Sequence, residues 1–187
     1  MANTPHPESK RATVWSGGRR KLARDPVLGP WVKEIGTIRV PMGEDDPFPY
    51  LVRTICYQQL AGRAASTIHS RLVEALSGEV TTRKVLRVRE STLRKAGLSH
   101  AKCAAIRDLA SKISVGDVVV SDLSEQSDQE VIRRLVQVRG IGVWTAQMYL
   151  MFRMHRPDIW PTGDLGVRKG FAKAHGLKAP PSAGELE

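Results

Sequence analysis

Residues 135–164 read LVQVRGIGVWTAQMYLMFRMHRPDIWPTGD. Apolar residues at helical spacing before Gly140 and after Gly142 predict two helices joined by a tight turn, and a proline-containing loop then ends at Asp164. Glycine permits positive φ angles and lets a phosphate approach the backbone, while the first amides of the second helix have no intrahelical partners. The turn therefore predicts a phosphate-binding hairpin, and the carboxylate after it predicts chemistry.

The glycine pair of this turn has two other interpretations. It is compatible with a plain helix–helix connection that binds nothing. A dinucleotide-binding fingerprint, in contrast, needs a preceding strand and a third glycine three residues after the second. Thr145 occupies that position, and the preceding segment has helical periodicity. The dinucleotide interpretation is rejected, whereas the plain connection stays open.

The 187 residues carry a formal net charge of +10 and two cysteines. The charge favours a polyanionic partner such as nucleic acid, although a basic surface without a specific partner would give the same count. Cys56 and Cys103 lie in apolar helical patterns and are expected to be reduced, buried thiols of a cytosolic protein. We expect no membrane span and no secretory signal, because no apolar run is long enough for either.

Helical periodicity recurs along the chain, without a pattern of paired strands. Residues 1–24 hold six basic residues and one acidic residue, with a Gly-Gly pair, and predict a flexible basic arm. The pairs Asp25-Pro26 and Asp46-Pro47 predict helix starts, and residues 38–42 predict a short extended segment. The sequence therefore predicts an all-α protein of about eight helices, with a helical core over 25–176 and a loop-like tail over 177–187.

Four segments, in order, resemble the helix–hairpin–helix (HhH-GPD) DNA glycosylase superfamily. Residues 135–146, with GIGVWTA at their centre, resemble its hairpin, and PTGDLG after them resembles its Gly/Pro-rich loop ending in an aspartate. The sequences YQQL at 57–60 and LSHAKCAAIRDLA at 98–110 also resemble it. The similarity is greatest to the branch of 3-methyladenine DNA glycosylase II. It implies a two-lobed helical fold with a cleft between the lobes, the helix–hairpin–helix at about 128–153 and the catalytic loop at 156–164.

Asp164 matches the catalytic aspartate of that superfamily. The residues alone favour a helix N-cap instead, and the resemblance reverses that preference; the two roles can coexist. Cleavage of a base–sugar bond develops positive charge on the sugar, which a nearby carboxylate stabilises. A cationic alkylated base is a good leaving group, so a strong general acid is less necessary. The resemblance thus implies hydrolysis of the N-glycosidic bond of a base flipped out of the stack.

Trp144 stands where relatives that also cleave the DNA backbone carry a lysine that forms a Schiff base. Because an indole offers no amine, the residue predicts a monofunctional enzyme, with an aromatic face for a cationic base. Packing at a helix start is the alternative. Trp160 and Tyr149 are further candidates for the base pocket, again with packing as the alternative.

A flipped base leaves a gap in the duplex that a side chain should fill. The resemblance assigns Leu60 to this wedge and Gln59 to the orphan base, the alternative being that Leu60 is a core residue at a helix end. Arg63 is a candidate phosphate contact or a solvated arginine. Lys102, in the matching segment at 98–110, receives no role. The remaining predicted DNA contacts lie in the hairpin: Gly140, Ile141, Gly142 and Thr145.

The sequence predicts no metal site, because its five histidines lack ligand spacing. No cysteine follows Cys103, so we expect no iron–sulfur cluster of the kind that some relatives carry near the C-terminus, whereas a monovalent cation at the hairpin carbonyls is compatible with the family. Relatives of this branch usually carry a further C-terminal helix with a tryptophan and an arginine that has no counterpart here.

We expect a monomer that binds double-stranded DNA containing damaged bases. We do not expect it to bind a membrane. Its expected location is cytoplasmic, with the nucleoid in a bacterium or the nucleus in a eukaryote. The predicted function is base-excision repair by a monofunctional DNA glycosylase, a hydrolase of alkylated purines of the 3-methyladenine type. The alternatives are a non-catalytic helix–hairpin–helix protein that binds or recognises damaged DNA, and a bifunctional glycosylase–lyase.

Overall fold

The structure, a computed structural model, describes residues 16–38 and 46–187. Within these residues all regular structure is helical, which confirms the all-α prediction. None of these helices is long and apolar enough to cross a membrane. The helices are α1 (16–22), α2 (Gly29–Ile35), α3 (Pro47–Tyr57), α4 (Gly62–Ala75), α5 (Thr82–Arg87), α6 (Glu90–Lys95), α7 (His100–Val115), α8 (Asp128–Leu135), α9 (Val143–Phe152) and α10 (Leu165–Ala174), with a 3₁₀ turn at Leu123–Glu125.

The N-terminal region differs from the prediction in two respects. Residues 16–22, placed in a flexible arm, are helical, while residues 1–15 of that arm lie outside the described residues. The helix predicted to start at Asp25 begins at Gly29. The Asp25 carboxylate accepts hydrogen bonds from the amides of Val27 and Leu28, both at 2.8 Å, and so closes a separate turn first. Most of the predicted extended segment falls within 39–45, also outside the described residues.

Other helix starts follow the local signals. The side chains of Asp46, Ser99 and Ser127 each accept a hydrogen bond from a backbone amide two or three residues later, and so cap α3, α7 and α8. At the other end of α7, Gly116 adopts the left-handed conformation with φ 83°, which glycine adopts at little cost. These caps satisfy amides that would otherwise lack partners, and they fix the helix boundaries.

The chain divides into two compact units, one of Met42–Met154 and one of Met1–Pro41 with His155–Glu187. Two lobes were predicted, and the cleft between them stays a prediction. The predicted 25–176 core is split by this division: the hairpin lies in the central unit, and the catalytic loop lies in the unit formed by the chain ends.

The core of the central unit is built around α7, which packs against α3, α5 and α6. Burying each large apolar side chain contributes about 1.5–3 kcal/mol over leaving it exposed. Cys56 and Cys103 are free and fully buried, as predicted, and burial raises the pKa of the Cys56 thiol to about 12. Other fully buried side chains of this core are Leu51, Val52, Ile55, Leu72, Leu93, Ile106, Leu109, Leu135 and Leu150.

In the unit formed by the chain ends, α10 carries the main aromatic contacts. The Phe171 ring stacks on His175 with centroids 4.1 Å apart, and the Lys173 ammonium lies 4.7 Å from the centroid of the Trp31 ring. Residues 177–187 contain no helix, in agreement with the predicted loop-like tail. The guanidinium of Arg168 donates from Nε to the Pro181 carbonyl oxygen at 2.5 Å, which ties this tail to α10.

Candidate functional site

The turn between α8 and α9 forms the predicted hairpin. It is closed by hydrogen bonds from the Val138 amide to the Leu135 carbonyl and from the Ile141 amide to the Val138 carbonyl. Gly140 has φ 78°, whereas Gly142 has φ −94° and ψ 176°, so only Gly140 uses the left-handed freedom of glycine. A Cβ atom on Gly140 would also lie 3.0 Å from the Cβ of Ala105 on α7. The hairpin therefore requires glycine at 140 for two reasons.

The N-terminus of α9 has the geometry of a phosphate site. Gly142 is its N-cap, and among the described residues no side chain caps this end of the helix. A Cβ atom on Gly142 would meet no described atom within 4 Å, so this side of the turn faces open space. Val143 and Trp144, the first helical residues, are exposed, Trp144 by 43%. Backbone N–H groups at such a helix start can bind an anion, and the helix dipole assists.

Residues 58–61 connect α3 to α4 and are called the wedge loop below. Gln59 is exposed and has φ 56°, a left-handed conformation that is unusual outside glycine. Leu60 is 40% exposed, so the alternative of a core leucine does not hold. Arg63, in the first turn of α4, is exposed as well. The loop therefore presents two consecutive side chains at the surface of the central unit.

Gln58 connects the wedge loop to the hairpin. Its side-chain amide donates from Nε2 to the Gly140 carbonyl oxygen at 2.9 Å and to the Thr145 hydroxyl at 3.2 Å. Thr145 and Ile141, both predicted DNA contacts, are buried. Their side chains support the hairpin from within, which leaves the backbone as the part of these residues that can meet DNA.

Lys102 is a supporting residue that the sequence did not reveal. Its ammonium donates to the carbonyl oxygens of Cys56 at 2.7 Å and Gln58 at 2.8 Å, at the C-terminal end of α3. Burial lowers the pKa of Lys102, and the two carbonyls compensate for the lost hydration. No local signal indicates such a role, because the bonded carbonyls lie 46 and 44 residues away.

Asp164 is the N-cap of α10, as one of its two interpretations predicted. Its Oδ1 accepts a hydrogen bond from the Val167 amide at 2.9 Å, and its own amide donates to the Pro161 carbonyl at 2.9 Å. A Cβ atom on Gly166 would lie 2.9 Å from the same Oδ1, so the first turn of α10 tolerates only glycine at this position without a shift. The carboxylate is thus held in one place by the turn before it and the helix after it.

The predicted pocket aromatics lie in different surroundings. Tyr149 is buried in the central unit, with its ring edge-to-face to Tyr50 at a centroid distance of 5.7 Å, and burial raises its pKa to about 12. Trp160 belongs to the unit formed by the chain ends, is 51% exposed and donates from its indole N–H to the Leu186 carbonyl at 3.1 Å. Packing thus accounts for Tyr149, and a pocket role for Tyr149, Trp160 and Trp144 stays a prediction.

The described residues contain no group of three or more His, Cys, Asp or Glu side chains that could hold a metal ion. At the hairpin, the Gln137 carbonyl accepts a hydrogen bond from the Lys112 ammonium at 2.6 Å, and the Gly140 carbonyl accepts one from Gln58. Each of these two oxygens accepts one protein hydrogen bond and keeps a second lone pair, so neither contact excludes a monovalent cation at the hairpin. The expected absence of an iron–sulfur cluster and the monovalent cation at the hairpin therefore both stay predictions.

Residues 52–187 match the model of the HhH-GPD superfamily base excision DNA repair proteins. The chain belongs to this superfamily. It is 31% identical over 156 residues to DNA-3-methyladenine glycosylase 1 of Schizosaccharomyces pombe, covering 81% of this chain and 68% of that protein. It is 33% identical over 167 residues to DNA-3-methyladenine glycosylase of Saccharomyces cerevisiae, covering 81% of this chain and only 56% of that protein.

Solved structures agree with the family assignment. The S. pombe 3-methyladenine DNA glycosylase, in complex with abasic DNA, superposes with a TM-score of 0.80 at 28% identity, over 90% of this chain and 84% of that one. A DNA-3-methyladenine glycosidase of Bacillus halodurans superposes with a TM-score of 0.76 at 30% identity, over 96% and 79%. The helix–hairpin–helix glycosylase fold expected from the sequence is therefore confirmed.

Proposed function

We propose that this protein is a monofunctional DNA glycosylase that hydrolyses the N-glycosidic bond of alkylated purines, of the 3-methyladenine type, in double-stranded DNA. The observation that carries this proposal is the fixed carboxylate of Asp164 at the start of α10, in a member of the HhH-GPD superfamily. Similarity to proteins named DNA-3-methyladenine glycosylases supports the substrate class. Trp144, without an amine, supports hydrolysis rather than lyase chemistry.

The proposed reaction needs one anion at the sugar. As the base leaves, positive charge develops on the sugar, and the Asp164 carboxylate stabilises it and orients the attacking water. The Val167 amide holds Oδ1, so the carboxylate does not have to be ordered during the reaction. Asp164 also lies at the N-terminus of α10, where the helix dipole stabilises a negative charge.

The central unit would bind the substrate. The N-terminus of α9 binds a phosphate of the lesion strand, Arg63 contacts another phosphate, and Gln59 and Leu60 occupy the space left by the flipped base. The exposed face of Trp144 attracts a cationic alkylated base. The protein acts as a monomer wherever the cell keeps its DNA, in the nucleoid of a bacterium or the nucleus of a eukaryote.

The test compares Asp164→Asn with the wild-type protein on DNA treated with a methylating agent, with released bases identified by mass. Asn retains an oxygen that accepts from the Val167 amide, so the cap of α10 survives while the negative charge is lost. We expect the wild type to release methylated purines and the variant to release none at nearly unchanged DNA affinity. Asp158→Asn, an exposed aspartate of the same loop, is the matched control.

Two outcomes contradict the proposal. Base release by Asp164→Asn at the wild-type rate would remove Asp164 from the mechanism. Tight binding of methylated DNA by the wild type without any released base would favour the non-catalytic damage-recognition protein instead.

A further inference from the structure

Gln58 is held from two directions, and this arrangement goes beyond what a surface loop requires. Its backbone carbonyl accepts a hydrogen bond from the Lys102 ammonium at 2.8 Å, and its side-chain amide donates to the Gly140 carbonyl at 2.9 Å. The same ammonium binds the Cys56 carbonyl in the last turn of α3. The wedge loop is thus attached at one residue both to α7 and to the hairpin.

The next residue shows what this attachment maintains. Gln59 has φ 56°, and a non-glycine residue persists in that conformation only when its surroundings impose it. Leu60 follows directly, and both side chains are exposed. Hydrogen bonds from a charged donor are stronger than neutral ones, so the two bonds of Lys102 are well suited to impose the backbone path.

We propose that Lys102 and Gln58 are positioning residues that hold Gln59 and Leu60 ready for insertion into the duplex as the hairpin binds the strand. This inference rests on the proposed function, in which Leu60 fills the gap left by the flipped base. A loop that is already ordered loses little conformational freedom on insertion, so less of the binding free energy is spent on ordering it. Lys102 and Gln58 therefore assist the extrusion of a base from a paired duplex, and they do not contact the reacting atoms.

This role differs measurably from a merely structural one. If Lys102 and Gln58 only stabilised the junction of α3 and α7, their loss would slow base release equally on every DNA substrate. If they position the wedge, their loss slows release where the base must be extruded from a pair. The defect becomes small where the lesion is already unpaired, because extrusion is then cheaper.

The experiment uses two duplexes of one sequence with a single 7-methylguanine, placed opposite cytosine in one and opposite an abasic site in the other. Single-turnover base release is measured for the wild type, Lys102→Met and the nearly isosteric Gln58→Glu, which remains informative if Lys102→Met does not fold. On the paired duplex we expect a loss of about tenfold, the rate equivalent of one charge-assisted hydrogen bond. On the unpaired duplex we expect a loss below about threefold.

Lys95→Met makes the same chemical change as Lys102→Met at an exposed position outside the site, and should keep the wild-type rates on both duplexes. A second measurement does not depend on catalysis. A 2-aminopurine beside the target gains fluorescence when the wild type unstacks the duplex, and we expect both variants to lose this gain while anisotropy shows the DNA to be saturated with protein.

Equal losses on the two duplexes, or a full fluorescence gain with both variants, would overturn the positioning role. Absence of base release by the wild type would refute the proposed glycosylase activity instead. The fluorescence measurement would then still decide whether Lys102 and Gln58 position the wedge loop.

Discussion

The Asp108 carboxylate accepts a hydrogen bond at 2.8 Å from the backbone N–H of Arg139, which lies 31 residues later in the chain. The same carboxylate oxygen pairs with the Lys112 ammonium at 2.9 Å, and that ammonium also donates to the Gln137 carbonyl. The bonds to Arg139 and Gln137 fix the start of the hairpin to α7, and the ion pair within α7 holds the two side chains that make them. Because Lys102 of the same helix fixes the wedge loop, α7 is the common support of both segments assigned to DNA.

We expect Asp108→Ala to destabilise the protein by about 1–2 kcal/mol at neutral pH, because the Arg139 amide and Lys112 lose their partner. DNA affinity should fall as well, since the hairpin is less well held. Urea unfolding and fluorescence anisotropy with undamaged duplex measure the two effects. Asp117→Ala, at an exposed aspartate just after α7, is the matched control and should change neither.

The effect of Asp108 should depend on pH in a defined direction. Burial acts to raise the pKa of Asp108, but the Arg139 amide and the Lys112 ammonium outweigh it and hold the pKa below its ordinary value of 3.8. A lowered folded-state pKa stabilises the fold above the unfolded-state pKa, and this stabilisation is lost as the pH falls through the folded value. The difference in unfolding free energy between wild type and Asp108→Ala should therefore shrink below pH 3.8. A constant difference would contradict the carboxylate's role.

The two hairpin glycines should respond differently to alanine. Gly140→Ala meets the Cβ of Ala105 at 3.0 Å and forces alanine to φ 78°, so we expect a loss of about 2 kcal/mol or more in unfolding free energy. Gly142→Ala has open space and an ordinary φ, so the fold should lose about 1 kcal/mol or less, as at other N-caps.

DNA binding then separates the roles of these glycines. Because the phosphate is proposed to approach the backbone at Gly142, the methyl group of Gly142→Ala should weaken DNA binding while the protein stays folded. Anisotropy at a temperature well below the unfolding transition measures this. Unchanged affinity in Gly142→Ala would contradict a phosphate at the start of α9.

Gly166→Ala should displace the Asp164 carboxylate. The new Cβ would lie 2.9 Å from Oδ1, so the carboxylate or the helix start must shift. A misplacement of about 1 Å at a reacting centre can cost about a hundredfold in rate, and we expect a loss of that order in single-turnover base release at nearly unchanged DNA affinity. Gly170→Ala on the same helix has open space and should keep the wild-type rate. Wild-type release by Gly166→Ala would show that the position of the carboxylate does not limit the reaction.

Local signals in the sequence predicted what local contacts determine. Four helices are capped by side chains that bind amides no more than three residues away: Asp46, Ser99, Ser127 and Asp164. Each of these helix starts is therefore determined by a few neighbouring residues. The hairpin and the aspartate loop also formed contiguous patterns, which is why the superfamily resemblance was visible before the fold. Asp25 shows that such a local signal can mislead, because its carboxylate caps a turn that precedes α2 and not α2 itself.

The supporting contacts could not be predicted in the same way. Gln58 and Gly140 are 82 residues apart, and nothing near either residue indicates the partner. The buried face of α9 could not be predicted either, because VWTAQMYLMF is apolar on nearly every side and its periodicity does not distinguish an inner face. Thr145 was assigned to DNA through the resemblance, and Tyr149 was a pocket candidate with packing as its alternative; both side chains are buried.

Trp144 should contribute an aromatic face to a cationic base. We expect Trp144→Ala to lower kcat/KM about fivefold for 7-methylguanine, which carries a positive charge, and less for the neutral base hypoxanthine, because the cation–π attraction is lost only with the former. Phe152→Ala is a matched control, since Phe152 lies at the other end of α9 and is also 43% exposed. An equal loss on both bases would assign Trp144 to packing.

Trp144 also leads us to expect that borohydride traps no protein–DNA adduct. A lyase forms a Schiff base between an amine and the opened sugar, and reduction makes that bond permanent; the indole of Trp144 offers no amine for it. Wild-type protein incubated with methylated duplex and borohydride should migrate unmodified, and the DNA strand should break only after later treatment with alkali. A bifunctional glycosylase on its own substrate serves as the positive control for trapping. A covalent adduct with this protein would favour the glycosylase–lyase and would place the reactive amine at a residue other than Trp144.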